Sequence, residues 1–553
     1  MTAAVAAPAV PLPSFGSTLA GTGRLVRFIL RRDRVRLSVW TLSIVAFYAY
    51  YAVALDAMGT AARGARAALM QTPAGIVMGG PGYGVENYTV GVAIANEGIT
   101  WVVLALGIMS VLHVVRHTRA EEESSRSELV RAAPVGRHAP AVAAIVTLFV
   151  VNAVIAMVSA LALSGASGGD LPLADSFGLT IGSGLAAMVF GAVAVVACQV
   201  TEHGRGATGI GLAAYGLALV LRSAGDIQEQ HGNILSWLSP IGWAQQMRAF
   251  VDLRWWPTAL SVAAILLLLV LAAVLASRRD FGGGLVATRG GRADAPASLR
   301  SPLALAWRQQ RSAFGWTALG MALLWYASGT LLPEIMEMGA SGAADNEIFA
   351  AVFGGSDPAV FRDGFLTVML LFAALTCVAY AIVMSARAKG EEEAGRAEVL
   401  LALSVSRSRW LGAHLAVVGL STVALIAVSV YAVWAGAVQV GMSEPGLGAY
   451  TDVFWTYSVA VLVYLGLAAA LYAWAPRFTS AAWLLLVYSF VVGMFGEVFD
   501  LPSGAEALSP LDWLPAGFGE TPDAAHMIGL AGVAVVLLAL AFLGFRRRDL
   551  QSN

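Results

Sequence analysis

Two short acidic segments of the chain share one spacing of charged side chains: a base, one residue, three glutamates, two small residues, an arginine, one residue and a last glutamate. On a helix, this spacing places a base and an acid one turn apart, as Arg119 and Glu123 are in the first copy. The same separation recurs for Lys389 and Glu393, and the middle glutamate of each triplet has an arginine one turn later. Such pairs stabilise a short exposed helix by roughly 0.2–0.5 kcal/mol each.

The carboxylates left over by these pairs are suited to bind a basic partner. A solvated helical loop without a partner is the alternative, but such a loop does not need the same pattern twice. The repetition therefore predicts two docking helices. Their charged residues are Arg119, Glu121, Glu122, Glu123, Arg126, Glu128, Lys389, Glu391, Glu392, Glu393, Arg396 and Glu398.

Histidines near the first acidic segment offer a second kind of chemistry. His113, His117 and Glu121 fall at i, i+4 and i+8, so one helix face would carry all three, as a zinc site requires. A polar helix end, where the helix dipole favours cations, explains the same residues. The corresponding positions before the second acidic segment are Val383 and Arg387. We therefore expect no metal site, and we find no catalytic triad or carboxylate dyad that would indicate an enzyme.

The stretches between the charged segments are strongly apolar. Of the 553 residues, 58% are hydrophobic and 12% are charged, whereas soluble domains carry about a quarter charged residues. Apolar runs of about 20 residues without two-residue alternation predict membrane-spanning helices rather than barrel strands. The net charge of −1 gives no basic excess for binding nucleic acid. Cys198 and Cys377 both fall in apolar runs, and no disulfide is expected.

The apolar runs form two groups of six, which predicts an all-α polytopic membrane protein with about twelve spans. A helix with arginines along one face precedes the first group, either lying in the membrane interface or simply flanking the first span. Ser301-Pro302 is typical of a helix start before the second group. The predicted spans are approximately 37–55, 90–115, 139–163, 176–200, 207–221, 258–276, 315–332, 365–385, 411–434, 453–474, 481–495 and 527–545.

Four landmarks recur in the same order in both groups, which indicates a tandem duplication. They are Glu121 and Glu391, Leu238 and Leu508 of Leu-Ser-Pro, Arg278 and Arg547 of Arg-Arg-Asp, and Trp40 and Trp316, with offsets of 270, 270, 269 and 276 residues. The predicted parts are a disordered cytosolic tail (1–23), a first half (24–280) with an interfacial helix (24–36), a cytosolic linker (281–300), a second half (301–549) with an interfacial helix (301–314), and a short tail (550–553).

The distribution of arginines predicts the orientation in a bacterial plasma membrane. Loops on the side of both termini hold nearly all the basic residues, and this side is the cytosol by the positive-inside rule. Both acidic segments then face the cytosol. An even number of spans in each half makes the halves parallel repeats.

Three residues are candidates for a substrate path through the membrane. Glu97 lies in the outer part of the second predicted span, where a carboxylate indicates a functional site unless the span begins a turn later. Tyr50 and Tyr326 occupy matching places in the first span of each half. Ordinary packing or an aromatic belt at the membrane surface is the alternative for both tyrosines.

The repeated Leu-Ser-Pro tripeptide predicts a break in the chain near the outer surface, because proline interrupts a helix. A tryptophan follows three residues after each proline. An ordinary loop turn is the alternative to a functional element. The candidates for an outer gate are Pro240, Trp243, Pro510 and Trp513.

The acidic segments and the residues after them resemble the loop between spans two and three of ABC-2 type exporter permeases. The stretch Glu128-Leu-Val-Arg-Ala-Ala-Pro134-Val-Gly-Arg137 carries the resemblance, and the second copy ends Ser404-Val-Ser-Arg407. The duplicated form is similar to the fused twelve-span permeases of the tetronasin-resistance and multidrug efflux group. This resemblance implies that 118–137 and 387–409 are coupling helices and that a short re-entrant helix closes the exit of each half. Because a serine replaces the proline in the second copy, the two docking sites are expected to differ.

The same resemblance implies an ATP-driven exporter of hydrophobic or amphipathic small molecules, such as drugs, working by alternating access between its halves. Two copies of a separate ABC ATPase would be the partners, together with membrane lipid and the small-molecule substrate. ATP and Mg²⁺ would bind to the ATPase, since the Gly-x-x-x-x-Gly-Lys-Ser/Thr sequence of a P-loop is absent here and no cofactor is expected in this chain.

Two other functions stay open at this point. A proton-coupled drug antiporter of the major facilitator type also has two parallel six-span repeats. Its loop between spans two and three, however, carries a Gly-x-x-x-Asp-Arg-x-Gly-Arg-Arg pattern rather than a glutamate triplet. An ABC exporter of a lipid or cell-envelope component fits the same sequence, because an apolar cavity suits lipids as well as drugs.

Overall fold

The computed structural model describes residues 18–57, 59–124, 134–166, 171–279, 282–286, 294–340, 357–496, 502–515 and 517–549. All regular elements in these residues are helical. The chain divides into two compact units, Met1–Gly290 and Gly291–Asn553. Arg126, Glu128, Asp280, most of the predicted N-terminal tail and the tail at 550–553 lie outside the described residues.

The first unit contains the first six spans and several short helices. A π-helical turn, Ile94–Gly98, joins α5 to α6. The helices are α1 (Thr22–Arg32), α2 (Arg34–Ala57), α3 (Gly59–Leu69), α4 (Pro73–Met78), α5 (Val90–Ala93), α6 (Ile99–His117), α7 (Arg119–Glu123), α8 (Ala139–Ala166), α9 (Leu173–Val200), α10 (Gly204–Gln228), α11 (Ile234–Trp237), α12 (Pro240–Gln245) and α13 (Pro257–Ser277).

The second unit repeats this order of long helices, although several of them differ in length from their counterparts. Ser301 caps its first helix by accepting the Ala304 N–H at 3.2 Å, which confirms the predicted start. The helices are α14 (Pro302–Thr330), α15 (Leu332–Ala340), α16 (Pro358–Glu393), α17 (Arg396–Leu401), α18 (Arg407–Gln439), α19 (Leu447–Trp474), α20 (Ala482–Phe495), α21 (Ser503–Glu506) and α22 (Ala524–Arg547).

Close packing of small residues builds the core of each unit. In the first, the fourth span α9 is mostly buried and packs against α6, α8, α10 and α13. In the second, α14 crosses α18 so closely that a Cβ at Gly329 would lie 2.1 Å from the carbonyl oxygen of Val433. A Cβ at Gly436 would lie 2.2 Å from the carbonyl oxygen of Tyr326. Only glycine permits this approach, the usual way in which membrane helices gain van der Waals contact.

Eleven helical segments in the described residues are long and apolar enough to cross a membrane. They lie in α2, α5 to α7 taken together, α8, α9, α10, α13, α16, α18, α19, α20 and α22. The predicted span 315–332 lies mostly within α14, whose glycine, threonine and aromatic residues make it less apolar than the others. The chain is therefore a polytopic helical membrane protein with about twelve spans.

The predicted interfacial helices differ between the units. In the first, α1 ends at Arg32, Asp33 caps it, and α2 begins at Arg34. In the second, 301–314 is not a separate helix, because α14 runs on without a break into the predicted span. With the offset of 276, the place of Asp33 is taken by Gln309. Glutamine has a higher helix propensity than aspartate and does not compete for backbone groups in the same way.

The predicted coupling helices also take different forms. Thr118, with φ −124° and ψ −85°, separates the five-residue helix α7 from α6, and 125–133 lie outside the described residues. In the second unit, Lys389–Glu393 instead form the end of the 36-residue helix α16. Gly395, in the left-handed conformation at φ 70°, then turns the chain into α17.

Candidate coupling and transport sites

In the first unit, the middle glutamate of the triplet binds the end of the sixth span. Both carboxylate oxygens of Glu122 accept hydrogen bonds from the Arg279 guanidinium, at 2.8 and 2.9 Å. Arg119 donates to the same carboxylate at 2.7 Å and is only 1% exposed. Arg279 also donates to the side-chain oxygen of Gln199, near the end of α9, at 2.7 Å. Glu122 therefore ties the acidic segment to the ends of spans four and six.

The other two glutamates of the first triplet bind two further helices. Glu121 accepts a hydrogen bond of 2.6 Å from Arg32, the last residue of α1. Glu123 accepts the backbone N–H of Gly204, the first residue of α10, at 3.0 Å. A carboxylate is favourable there, because helix N-termini carry unpaired N–H groups and the positive end of the dipole. The three adjacent glutamates of this five-residue helix thus contact α1, α10 and the end of the sixth span.

In the second unit, the middle glutamate makes the same long-range contact. Glu392 is 3% exposed and accepts a hydrogen bond from Arg548 at 2.5 Å. The Tyr472 hydroxyl donates to the same oxygen at 2.5 Å, and the Arg548 guanidinium lies 4.7 Å from the centroid of the Tyr472 ring. Glu392 corresponds to Glu122 with an offset of 270, and Arg548 corresponds to Arg279 with an offset of 269. Two repeated sequence landmarks therefore bind each other in both units.

One predicted one-turn pair is confirmed, since the Lys389 Nζ lies 3.7 Å from Glu393. The pairing of Arg119 with Glu123 is wrong, because Glu123 is used at α10 and Arg119 binds Glu122 three residues away. The second triplet lies at a helix C-terminus, where the dipole disfavours negative charge, and the contact of Glu393 with Lys389 offsets part of that cost.

The predicted pairing of Arg396 with Glu392 is wrong as well. Both guanidinium contacts of Arg396 go to Glu391, at 2.9 Å each, and the hydrogen bond raises the pKa of Arg396. The left-handed turn at Gly395 moves Arg396 out of the register of α16, so the i+4 geometry does not apply. Glu393 and Glu398 stay exposed.

A third repeated contact closes the same end of each unit. Arg137 donates to the carbonyl oxygens of Ala276 and Arg279, at the end of α13. Its counterpart Arg407 donates to the carbonyl oxygen of Arg548 at 2.7 Å. Carbonyl groups in the last turn of a helix lack donors within the helix, so these arginines satisfy them.

The predicted trio of His113, His117 and Glu121 does not come together. Glu121 is held by Arg32, and Asp33 takes its place: the nearest ligand atoms of Asp33, His113 and His117 lie within 4.8 Å of one another. His117 Nε2 lies 2.8 Å from Asp33, and Arg116 lies 3.3 Å from the other carboxylate oxygen. Burial acts to raise the pKa of the Asp33 carboxyl, but His117 and Arg116 hold it below its usual value. An ion pair that fixes the break between α1 and α2 accounts for this group.

Glu97 is buried and fully paired at the other end of the first unit. Its carboxylate accepts hydrogen bonds from the hydroxyls of Tyr51 at 2.6 Å and Tyr88 at 2.8 Å. Arg66 of α3 binds both of its oxygens, one of them at 3.1 Å through Nε. The π-helical turn at Ile94–Gly98, a feature common at functional sites, carries Glu97.

Sequence patterns did not single out the partners of Glu97. Arg66 lies on the short helix α3, 31 residues earlier in the chain, and no spacing links it to the carboxylate. Tyr51 directly follows the candidate Tyr50, and only the direction of the side chain separates their roles. A buried carboxylate requires a cationic partner, so a search for arginines near the outer ends of the first spans would have found Arg66.

The two candidate tyrosines of the substrate path are exposed. Tyr50 has 68% of its surface exposed and Tyr326 has 37%. Their neighbours Tyr48 and Trp325 are buried, at 1% and 5%. Both candidates therefore point away from the core of their own unit, where a lipid, a substrate or another part of the chain has access to them.

The Leu-Ser-Pro breaks carry a repeated hydrogen bond. In the first unit, Pro240 begins α12 after α11, and the Trp243 indole N–H donates to the carbonyl of Trp237 at 2.6 Å. In the second, the Trp513 N–H donates to the carbonyl of Ala507 at 2.8 Å. Both donors and acceptors match with an offset of 270, and in each case the bond spans the break. Pro510 is buried in the equivalent turn.

Comparison with known proteins adds the function of relatives. The family model described as "Multidrug efflux system permease Rv1217c, C-terminal domain" matches residues 24–278 and 299–546. The multidrug efflux system permease protein Rv1217c of Mycobacterium tuberculosis (strain ATCC 25618 / H37Rv) is 32% identical over 544 residues, covering 98% of this chain and 97% of that protein. A match over nearly the whole of both sequences agrees with the helical membrane architecture described above. The chain therefore belongs to the family of multidrug efflux system permeases.

Proposed function

We propose that this chain is the membrane subunit of an ATP-driven ABC exporter that expels hydrophobic or amphipathic small molecules. Its energy would come from a separate ATPase, because the sequence contains no P-loop. The family supports efflux, and the repeated acidic segments support coupling to a partner. Two such segments in one chain favour one permease with two ATPase subunits, on the cytosolic side of a bacterial plasma membrane.

The observation that carries the proposal is the bond between each acidic segment and the end of its own sixth span. Glu122 binds Arg279 and Glu392 binds Arg548. A force applied to the acidic segment is therefore transmitted directly to the sixth span of that unit. In the first unit it also reaches α10 through the contact of Glu123 with Gly204.

The geometry separates two roles within each triplet. The middle glutamates bind arginines from the ends of the sixth spans and hold the segment in place; Glu392 is buried and Glu122 is half-buried. Glu123 and Glu393, which correspond with an offset of 270, are both exposed and present a carboxylate to a partner. We infer that Glu123 in the first unit, and Glu393 with the exposed Glu398 in the second, each supply an acidic surface that binds basic residues of one ATPase subunit.

Charge reversal at the exposed carboxylates tests the proposal. Glu123→Arg and Glu393→Arg, singly and together, are expected to weaken capture of the ATPase by the purified permease and to lower drug-stimulated ATP hydrolysis. Like charges at such a contact cost several kcal/mol. Glu229→Arg, at an exposed residue predicted to lie on the other side of the membrane, is the matched control. Normal ATPase capture and normal stimulation in the double variant would show that the acidic segments are solvated and not coupled to a partner.

A further inference from the structure

A cavity of about 680 Å³ opens within the first unit between α1 and the acidic segment. One wall is apolar and consists of Leu25, Phe28 and Ile29 of α1 with Ala141 of α8. The opposite wall carries charged and polar side chains from the ends of α6, α7, α9 and α13. The cavity is within the range of small-molecule sites and is much larger than a single inorganic anion needs.

Positive charge is in excess in the lining of the cavity. Among the described residues, the lining contains four arginines, Arg32, Arg119, Arg137 and Arg279, and two carboxylates, those of Glu121 and Glu122. Glu122 is shared between two of the arginines. Within the described part of the chain, the hydrogen bonds of Arg137 go to backbone carbonyls. The arginines and carboxylates of the described lining thus leave a net charge of +2, because two carboxylates are shared by three of the four arginines.

A buried donor at this site also lacks a partner. Arg119 is 1% exposed, and its Nε–H makes no hydrogen bond with any described residue. A buried donor without an acceptor costs on the order of 1–3 kcal/mol. His138, on the same lining, has a pKa lowered by burial and by Arg137, so it is a neutral hydrogen-bonding group at pH 7. The wall therefore suits a ligand with several acceptor oxygens and negative charge.

We propose that this cavity binds an anionic phospholipid, with its phosphate against Arg137 and Arg119 and its acyl chains along Leu25 and Phe28. Arginine recognises phosphate through paired N–H donors. Basic pockets between membrane helices on the cytosolic side are suited to anionic head groups, and α1 has the arginine-rich amphipathic character of an interfacial helix. The lipid would bridge α1 and the acidic segment, which Arg32 and Glu121 already connect.

Thermal unfolding of the purified full chain in detergent tests this assignment. Short-chain phosphatidylglycerol at saturation is expected to raise the melting temperature by about 5 °C, whereas phosphatidylcholine and inorganic phosphate have little effect. Arg137→Gln should abolish the rise. Arg407→Gln is the matched control, because Arg407 makes the same type of contact with helix-terminal carbonyls in the second unit but does not line the cavity.

A second variant keeps the test decisive if Arg137→Gln does not fold. Ala141→Trp leaves every charge in place and puts a large ring on the apolar wall of the cavity, where it would obstruct acyl chains, so it should also abolish the response to phosphatidylglycerol. An equal response to phosphatidylcholine would overturn the proposal, and so would a full response in both cavity variants. An equal response to inorganic phosphate that survives Ala141→Trp would identify a free anion site and overturn the lipid assignment.

Discussion

Glu122 and Arg279 lie 157 residues apart in the chain and bind each other through two parallel hydrogen bonds. Their counterparts Glu392 and Arg548 lie 156 residues apart and bind each other through one hydrogen bond. Each pair joins the acidic segment after the second span to the end of the sixth. The contact has persisted in both copies although their helices differ in length and continuity, which is consistent with a mechanical role at this point.

The first prediction concerns this contact in the second unit. Glu392→Ala should destabilise the protein by roughly 3–5 kcal/mol, because it leaves the guanidinium of Arg548 without its carboxylate in a largely buried place. The loss is measured as a fall in melting temperature of the purified protein. Glu393→Ala, one residue away but exposed, should change it by less than about 0.5 kcal/mol. Equal effects of the two variants would contradict the structural role assigned to Glu392.

The second prediction concerns the buried carboxylate of the second span. Glu97→Gln should destabilise the first unit by roughly 3–5 kcal/mol, since Arg66 then loses its charged partner. The double variant Glu97→Gln/Arg66→Gln should regain most of that stability. Efflux of cationic dyes, measured for the double variant at equal expression, then decides the role in transport. A wild-type efflux rate would show that the pair is structural and that Glu97 does not belong to the substrate path.

The third prediction concerns the exposed tyrosines. Tyr50→Ala and Tyr326→Ala should leave the melting temperature nearly unchanged, because neither side chain is buried in its unit. If they lie on the substrate path, the profile of exported compounds will change, as measured by resistance of cells to a panel of drugs. Tyr48→Ala is the contrasting variant, since it empties a buried position and should cost roughly 3–5 kcal/mol. Unaltered resistance to every compound in both exposed variants would remove them from the path.

The fourth prediction concerns the breaks before the sixth spans. Trp243→Phe and Trp513→Phe remove one hydrogen bond across each break while keeping an aromatic ring, at a cost of about 1–2 kcal/mol. If the breaks form an outer gate, each variant should leak substrate back into cells, which is measured as a higher steady level of a fluorescent dye. Trp255→Phe, at an exposed tryptophan near α13, is the control. A dye level as low as in the wild type would indicate an ordinary loop turn.

The sequence alone predicted the membrane class, the position of nearly all spans, the duplication and the breaks at Leu-Ser-Pro. These features depend on local properties, namely apolar length, clustered charge and proline, which act whatever surrounds them. The start of α14 at Ser301-Pro302 was predicted for the same reason. The repeated landmarks also marked Glu122 and Arg279 separately as residues of interest, but nothing in the sequence linked them.

The tertiary structure decided which carboxylate binds which arginine. Local spacing predicted that Arg119 pairs with Glu123 and Arg396 with Glu392. Instead, Glu123 binds the first residue of α10, and Glu392 binds Arg548 at the end of α22. Pairs on one helix are worth only a few tenths of a kcal/mol, whereas a buried carboxylate must find a charged or hydrogen-bonding partner to offset several kcal/mol of desolvation. The long-range contacts therefore override the local ones, and only the packing of the spans brings those partners within reach.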